Sequence, residues 1–395
     1  MMTLKIGVFV TGGIAAYKVP LVVRELIRQG HTVRVAMTKA AGEFVTPQTL
    51  ETVSKQPVLT DASEFAQPAH VAHVELAHWM DLALVVPATA NTLAKLAAGF
   101  ADNVVTTTLL ASACPKLVVP AMNDQMWRNA QTQANIAHLK ALGMVVLPPE
   151  RGFLAEGYEA IGRMPEPKVV ATFVQSYDAA LHLAGKRLVI TAGGTRERID
   201  PVRYIGNDSS GKMGTALANV AAAAEAAVTL VTTAQLPTLP QVKVVPVQSA
   251  QAMQAAVDAE FASADAVIMA AAVADYHVAQ TADHKLKKTS PDAGLTLNLV
   301  QNPDILATLG AKKTHQLVVG FAAETNDLLA NAQVKLQKKH ADLLVANQVG
   351  QGVGFNQDHN AVWLLRPGHE AQAVPDASKT KIAQTILKTM TEMMG

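Results

Sequence analysis

The residues best suited to chemistry are two sets of glycine-rich turns, one in each half of the chain. Thr11-Gly12-Gly13-Ile14-Ala15-Ala16 follows the apolar run Lys5–Val10. Thr191-Ala192-Gly193-Gly194-Thr195 follows the apolar run 187–190, and a second turn, Asn207-Asp208-Ser209-Ser210-Gly211-Lys212-Met213-Gly214, comes after it. Such turns bring backbone N–H groups up to a phosphate, with a helix N-terminus behind them. Two sets predict two sites, and two chemical steps, on one polypeptide. Gly12-Gly13 lacks a third glycine at the dinucleotide spacing, so a mononucleotide such as FMN suits it better than NAD. Met213 follows Lys212 where a Walker A loop needs Ser or Thr, which disfavours a P-loop NTPase.

Other polar residues fall beside these turns. Pro87-Ala88-Thr89-Ala90-Asn91 and Pro120-Ala121-Met122-Asn123 each follow an apolar run, where ligands gather in open α/β sheets. With Gly12, Gly13, Thr38 and Thr89 they can surround one phosphate or heterocycle; ordinary turn chemistry is the alternative. His70, His73 and His78 cluster with Glu75, but not at a standard zinc spacing, so metal ligands stay unassigned. His73 suits acid–base or substrate-orienting work, because imidazole titrates near neutrality. In the second half, small residues at 270–274 precede Asp275, and Lys285-Leu286-Lys287-Lys288 is a lysine run. Beside a triphosphate or acyl phosphate such lysines offset negative charge; elsewhere they are a solvated loop.

The elements that must position these residues alternate between strand and helix in both halves. The first half predicts strands at 6–10, 33–37, 82–86, 117–119 and 144–147, with helices over 17–29, 47–53, 92–98, 132–142 and 166–183. The second predicts strands at 188–191, 227–231, 266–270, 317–320, 343–346 and a late, antiparallel one at 361–365, with helices over 215–224, 250–262, 330–339 and 379–390. This order predicts an α/β fold of two doubly wound, Rossmann-like domains. The first, 1–184, is expected to be flavodoxin-like; the second, 185–395, nucleotide-binding. A chain of 395 residues, 50% of them hydrophobic, is long enough for two such cores. The net charge of +1 gives no general pull toward nucleic acid or anionic membrane. Cys114 is the one cysteine, so no intrachain disulfide forms. The N-terminal apolar run is too short for a signal or a membrane span, and a soluble cytoplasmic protein is expected.

Several motifs carry a resemblance. Residues 12–18, His73-Val74-Glu75-Leu76, Pro87–Asn91, 120–127 and Gly162-Arg163-Met164 resemble the flavin-dependent cysteine decarboxylases. The resemblance implies FMN held by Gly12, Gly13, Ile14, Thr38, Ala88, Thr89, Asn91 and Met122, with His73 and Asn123 catalytic. It implies flavin oxidation of the thiol-bearing carbon, loss of CO₂ from a thioaldehyde, and return of the electrons. Biosynthetic members carry a cysteine in a G-x-L-A-C-G clamp, and Glu156 stands in its place in Gly152-Phe153-Leu154-Ala155-Glu156-Gly157. Related peptide-cysteine decarboxylases lack that cysteine and release an enethiol. Glu156 is therefore either a substitute proton donor or the mark of a lost final step.

The second half, from about Gly185 onward, is similar to the phosphopantothenate–cysteine ligases. That likeness implies an acyl-cytidylate handled by Asn207, a flap lysine Lys285 needed to form it, and CTP contacts at Asp275, Lys285, Phe321, Lys335 and Lys339, with Mg²⁺. The order of the two halves resembles the fused bacterial enzymes of coenzyme A biosynthesis. These join L-cysteine to 4'-phosphopantothenate with CTP and then decarboxylate the product. The same likeness implies a homo-oligomer of trimeric flavin domains and dimeric ligase domains, with a dodecamer as one such assembly. The alternatives are an active ligase beside an incomplete decarboxylase, or a non-catalytic flavoprotein that regulates a partner.

Overall fold

The computed structural model describes residues 3–66, 70–287, 294–324, 326–348 and 357–394. Lys288 lies outside them. The chain divides between Gln175 and Ser176 into two compact units.

The first unit is a parallel six-stranded sheet in the order β3-β2-β1-β4-β5-β6. Its strands are β1 Lys5–Val10, β2 Thr32–Met37, β3 Val58–Leu59, β4 Leu82–Ala88, β5 Lys116–Pro120 and β6 Val145–Val146. Without the two-residue edge strand β3, which the sequence does not announce, the order is the flavodoxin-like 2-1-3-4-5. β4 is buried at every position, as a central strand covered on both faces must be. Phe9, Val85 and Val118 of the sheet pack with Leu93, Leu109 and Leu139 of the covering helices. β1 and β4 are neighbours, and the chain leaves them toward opposite edges. That switch point opens a crevice at their carboxyl ends. An antiparallel hairpin, β7 Glu150–Phe153 and β8 Glu159–Arg163, stands apart from the sheet. The helix expected over 166–183 ends at Ser176. Beyond it Leu181 and Leu183 are buried, and the Leu183 N–H donates to the Ala224 carbonyl, so this stretch packs into the second unit.

The second unit holds an eight-stranded sheet in the order β13-β12-β9-β14-β17-β18-β19-β20. Its strands are β9 Arg187–Ala192, β12 Ala227–Thr232, β13 Lys243–Pro246, β14 Ala266–Met269, β17 Leu317–Glu324, β18 Leu343–Gln348, β19 His359–Leu365 and β20 Gln372–Ser378. The first six in spatial order run parallel, and β19 and β20 add an antiparallel edge. Two small hairpins carry loops above the sheet: β10 Arg196–Arg198 with β11 Tyr204–Gly206, and β15 Tyr276–Val278 with β16 Leu299–Gln301. The core joins Val189, Val267 and Val318 to Val257, Phe261 and Leu309. Among the described residues no helix is long and apolar enough to cross a membrane.

Candidate functional site

A cavity of about 840 Å³ opens at the carboxyl ends of β1, β2, β4 and β5 in the first unit. That volume lies in the range of small-molecule sites. Gly12, Gly13, Ile14, Thr38, Thr89, Asn91, Met122, Asn123 and Glu156 all line it. Gly13, Thr38, Thr89, Asn103 and Asn123 are the N-cap positions of five helical segments, and each lines this one cavity; all but Gly13 cap through their side chains. Helix N-termini carry partial positive charge, so their convergence favours an anion such as a phosphate. The loops are tied together at their bases. The Thr11 hydroxyl donates to the Pro87 carbonyl at 2.6 Å, and the Thr89 N–H donates to the Thr11 hydroxyl at 3.1 Å.

The β7–β8 hairpin covers the mouth. Gly162 lies flat on the Met122–Asn123 loop, where the Met122 N–H donates to the Gly162 carbonyl at 3.0 Å. A Cβ at Gly162 would stand 2.1 Å from the Met122 carbonyl oxygen, so no larger residue fits. Lys18, buried at the end of the 3-10 helix Ile14–Lys18, donates to the Met164 carbonyl and pairs with Glu166 at 3.0 Å. The hairpin thereby brings Glu156 onto Asn123. The Asn123 amide donates to Glu156 at 2.8 Å and to the Tyr158 hydroxyl at 3.1 Å, and Tyr158 donates onward to Asp124 at 2.7 Å. That bond to the Asp124 carboxylate pushes the Tyr158 phenol above its ordinary pKa. The Tyr158 hydroxyl in turn holds the Asp124 carboxyl below its usual range.

Two of the expected residues lie off this cavity. His73 does not line this cavity. It sits on the helix Ala72–Trp79 with its Nδ1 on the buried carboxylate of Glu64. Its helix packs through Leu76 and Ala77 into the core formed with Phe9, Ala83 and Val85 of the sheet. Ala88 is fully buried and does not line the cavity either, because it still belongs to β4 and pairs with Pro120. Its carbonyl accepts from the Ala121 N–H, so it braces the loops without facing a ligand. His70 pairs with Glu75 at 2.6 Å, within the cluster of histidines around that carboxylate. Among the described residues no group of three or more His, Cys, Asp or Glu could hold a metal ion. Cys114 is half-buried away from the cavity, and burial pushes its thiol up.

In the second unit a cavity of about 720 Å³ lies at the carboxyl ends of β14, β17 and β18. Asn207, Asp275, Phe321, Lys335 and Lys339 line it, as expected. The Lys335 ammonium donates to the Phe321 carbonyl at 3.0 Å, and burial pulls its pKa down. Lys339 pairs with Asp304, the N-cap of the helix Ile305–Lys312. Burial would raise the Asp304 carboxyl, but the Lys339 ammonium and the helix N-terminus hold it below its usual range. Lys212 and Lys379 line the same cavity, and burial lowers Lys379. Asn302 also lines it, with its Nδ2 donating to the Ala274 carbonyl and its buried Oδ1 unpartnered among the described residues. A second cavity, about 880 Å³, is lined by Gly194, Thr195, Arg196, Tyr204 and Gln248. Residues 207–210 line both cavities, so Asn207 stands on their common wall. Asn207 donates to the Val273 carbonyl at 3.1 Å. A Cβ at Gly194 would meet the Asn207 carbonyl oxygen at 2.3 Å, and one at Gly193, where φ is +87°, would meet the Thr233 hydroxyl at 2.1 Å, which explains the glycine pair here.

Lys285 does not line either cavity. It is exposed on the segment after β15, beside Leu286, whose N–H and C=O are both held by the Asp200–Arg203 ion pair. The sequence passed over Asn103, Glu64, Tyr158 and Lys379. Asn103 had a signal in its capping box with Thr106. The others have none: Glu64 meets His73 nine residues on, outside any regular period, Tyr158 meets Asp124 34 residues away, and Lys379 reaches its cavity from the last helix.

Residues 183–394 match the family model of the DNA/pantothenate metabolism flavoprotein C-terminal domain, and residues 1–177 match the Flavoprotein family model. The coenzyme A biosynthesis bifunctional protein CoaBC of Vibrio vulnificus strain YJ016 is 46% identical over 394 residues, covering 99% of this chain and 98% of that protein. CoaBC of Mycobacterium tuberculosis strain H37Rv is 44% identical over 403 residues, covering 98% and 96%. The solved C-terminal domain of a CoaBC protein is 39% identical, covers 54% of this chain and 97% of its own, and superposes with a TM-score of 0.46. With nearly end-to-end identity of this order to such relatives, the chain belongs to the CoaBC family of bifunctional coenzyme A biosynthesis proteins.

Proposed function

We propose that the chain makes 4'-phosphopantetheine in two steps: CTP-dependent joining of L-cysteine to 4'-phosphopantothenate in the second unit, and FMN-dependent decarboxylation of the product in the first. It is a bifunctional enzyme of coenzyme A biosynthesis with ligase and decarboxylase activities. The observation that carries the division of labour is that each unit builds its own cavity at the carboxyl ends of its own sheet.

In the first cavity the converging helix N-termini fit the phosphate of FMN, and Ile14, Thr89, Asn91 and Met122 would border the ring. Bound flavin supplies two-electron oxidation of the thiol-bearing carbon and returns the pair after CO₂ has left. Asn123 holds the substrate carboxylate through its amide, and Glu156 is the proton donor that replaces the clamp cysteine. Glu64 orients His73 through Nδ1, leaving Nε2 to move the thiol proton. Because His73 stands outside its own cavity, it would serve the cavity of a neighbouring copy. Ile14, Tyr17 and Leu21 are exposed large apolar residues at one helical spacing beside the cavity, which suits a homo-oligomeric contact.

In the second unit the nucleotide would occupy the lysine-lined cavity, with Lys335 and Lys339 toward its phosphates; Asp275 is the lining carboxylate that would face Mg²⁺, whose chemistry there would be to offset phosphate charge. Attack of the pantothenate carboxylate on the α-phosphorus releases pyrophosphate and leaves a mixed anhydride. The cysteine amine then displaces CMP. Asn207, on the wall shared with the second cavity, is placed to hold the acyl phosphate between them. Lys285 closes over the phosphates by movement of its segment about Leu286.

Incubation of the full chain with phosphopantothenate, cysteine, CTP and Mg²⁺ tests this by product mass. Phosphopantetheine, CMP and pyrophosphate are expected. A colourless protein that retains no FMN and releases no pyrophosphate overturns it.

A further inference from the structure

We propose that the substrate itself loads Glu156 with a proton: its carboxylate meets the Glu156 carboxylate on the single Asn123 amide, and the pair takes up a proton that Glu156 then delivers. This rests on the roles assigned above to Asn123 and Glu156.

The problem it answers is chemical. A thiol at this position carries its proton at neutral pH, whereas an ordinary carboxyl is ionised there and has none to give. The geometry supplies the remedy. Asn123 has two amide hydrogens. One goes to Glu156 at 2.8 Å and the other to the Tyr158 oxygen at 3.1 Å. The Tyr158 hydrogen is committed to Asp124, so Tyr158 offers Asn123 only a lone pair. The Asn123 Oδ1 faces away, accepting from the Gln125 N–H at 2.9 Å. An incoming carboxylate that needs this amide must therefore share it with Glu156.

The other charged groups of the cavity are mostly spoken for. Lys95 is held by Asp102, and Lys18 and Arg163 both by Glu166. Asp124, behind Tyr158, pairs with Arg128 at 3.8 Å. Lys39 and Asp61, of opposite charge, line the cavity from other loops than the one that carries Asn123. Two carboxylates brought onto one donor repel each other, and that repulsion favours the pair holding one proton between them.

The remaining steps balance. The C–C bond to the carboxylate breaks and CO₂ departs with that carbon, leaving its electron pair on the enethiolate. Proton sharing ends, and the Glu156 carboxyl O–H breaks as a new C–H bond forms at the carbon that lost CO₂. Glu156 is again a carboxylate and returns to the Asn123 amide. The resulting thioaldehyde regains the electron pair and protons removed at the outset. One proton is consumed per CO₂ released.

The test is titration calorimetry of the full, flavin-loaded chain in buffers of different ionisation heat, above the ordinary carboxyl range. Two unreactive ligands are compared: phosphopantothenoylalanine, which has the carboxylate but no thiol, and the corresponding ethylamide, which lacks the carboxylate. Their common phosphate cancels. The alanine ligand is expected to take up about one proton more than the ethylamide. Glu156→Gln should abolish that difference, and Glu156→Asp should keep it. Glu156 is exposed, so neither change threatens folding, and the difference between wild type and Glu156→Gln isolates the first unit from binding at the second. No extra uptake in the wild type, or uptake that persists in Glu156→Gln, overturns the proposal. CO₂ release from phosphopantothenoylcysteine, measured alongside, shows separately whether the decarboxylase assignment itself stands.

Discussion

Asn123→Asp is the sharpest perturbation of the first cavity, because it changes two hydrogens and almost no volume. The side-chain oxygen that caps the helix Asp124–Arg128 through the Gln125 N–H is kept, and Asp caps as well as Asn. Melting temperature should barely move. The amide that faces Glu156 at 2.8 Å and Tyr158 at 3.1 Å becomes a carboxylate oxygen. A hydrogen bond to a charged acceptor is lost, roughly 1.5–3 kcal/mol. Repulsion replaces it, about 4 kcal/mol for unit charges 4 Å apart at an effective dielectric of 20, and about half that at an opening exposed to solvent. Together these amount to roughly 3.5–5 kcal/mol, or a fall of about 10²- to 10⁴-fold in kcat/KM for decarboxylation. The assay is CO₂ release from phosphopantothenoylcysteine, with pyrophosphate release from CTP as the internal control. A decarboxylation rate within tenfold of wild type, at unchanged thermal stability, would refute the role given to the amide. A parallel fall in ligation would show that the change had damaged more than this site.

Three further outcomes follow from other contacts. Gly162→Ala puts a methyl group 2.1 Å from the Met122 carbonyl, so the hairpin must lift; decarboxylation should drop more than tenfold while ligation is kept, and a fully active variant would contradict the seating of the hairpin. Lys335→Met removes a half-buried ammonium from the second cavity, and KM for CTP should rise roughly 10- to 150-fold, the equivalent of one charge-assisted bond, with decarboxylation untouched. Tyr158, raised by its bond to Asp124, contributes stability that is complete below the ordinary phenol value of about 10 and lost as pH rises through its higher folded value. Ultraviolet titration should show one tyrosine ionising later than the rest, and Tyr158→Phe should remove that step; an unchanged curve would count against the Tyr158–Asp124 bond.

Much of this architecture is written locally. The continuous apolar run at β4 reads as a strand covered on both faces, and it is one. Thr38 and Thr89 read as turn residues beside a ligand, and both cap helices at the cavity. The short helices Ala72–Trp79, Val104–Ala111 and Ile305–Lys312 escaped notice, because few turns of apolar periodicity are present to be counted. β20 escaped for a related reason: Gln372–Ser378 is an edge strand whose polar residues and proline mask its pairing with β19.

The sequence by itself determined the two α/β units, the glycine turns that open them, and most residues that line the two cavities. Those features depend on periodicity, capping and backbone freedom, which act between near neighbours. Only the tertiary structure decided that His73 faces Glu64 instead of the cavity, that Lys285 stands off its site, and that Glu156 shares Asn123 with Tyr158. These are meetings of side chains from separate loops. They depend on where a turn, a loop and a hairpin come to rest against the rest of their own unit, and no local pattern of residue types encodes those distances.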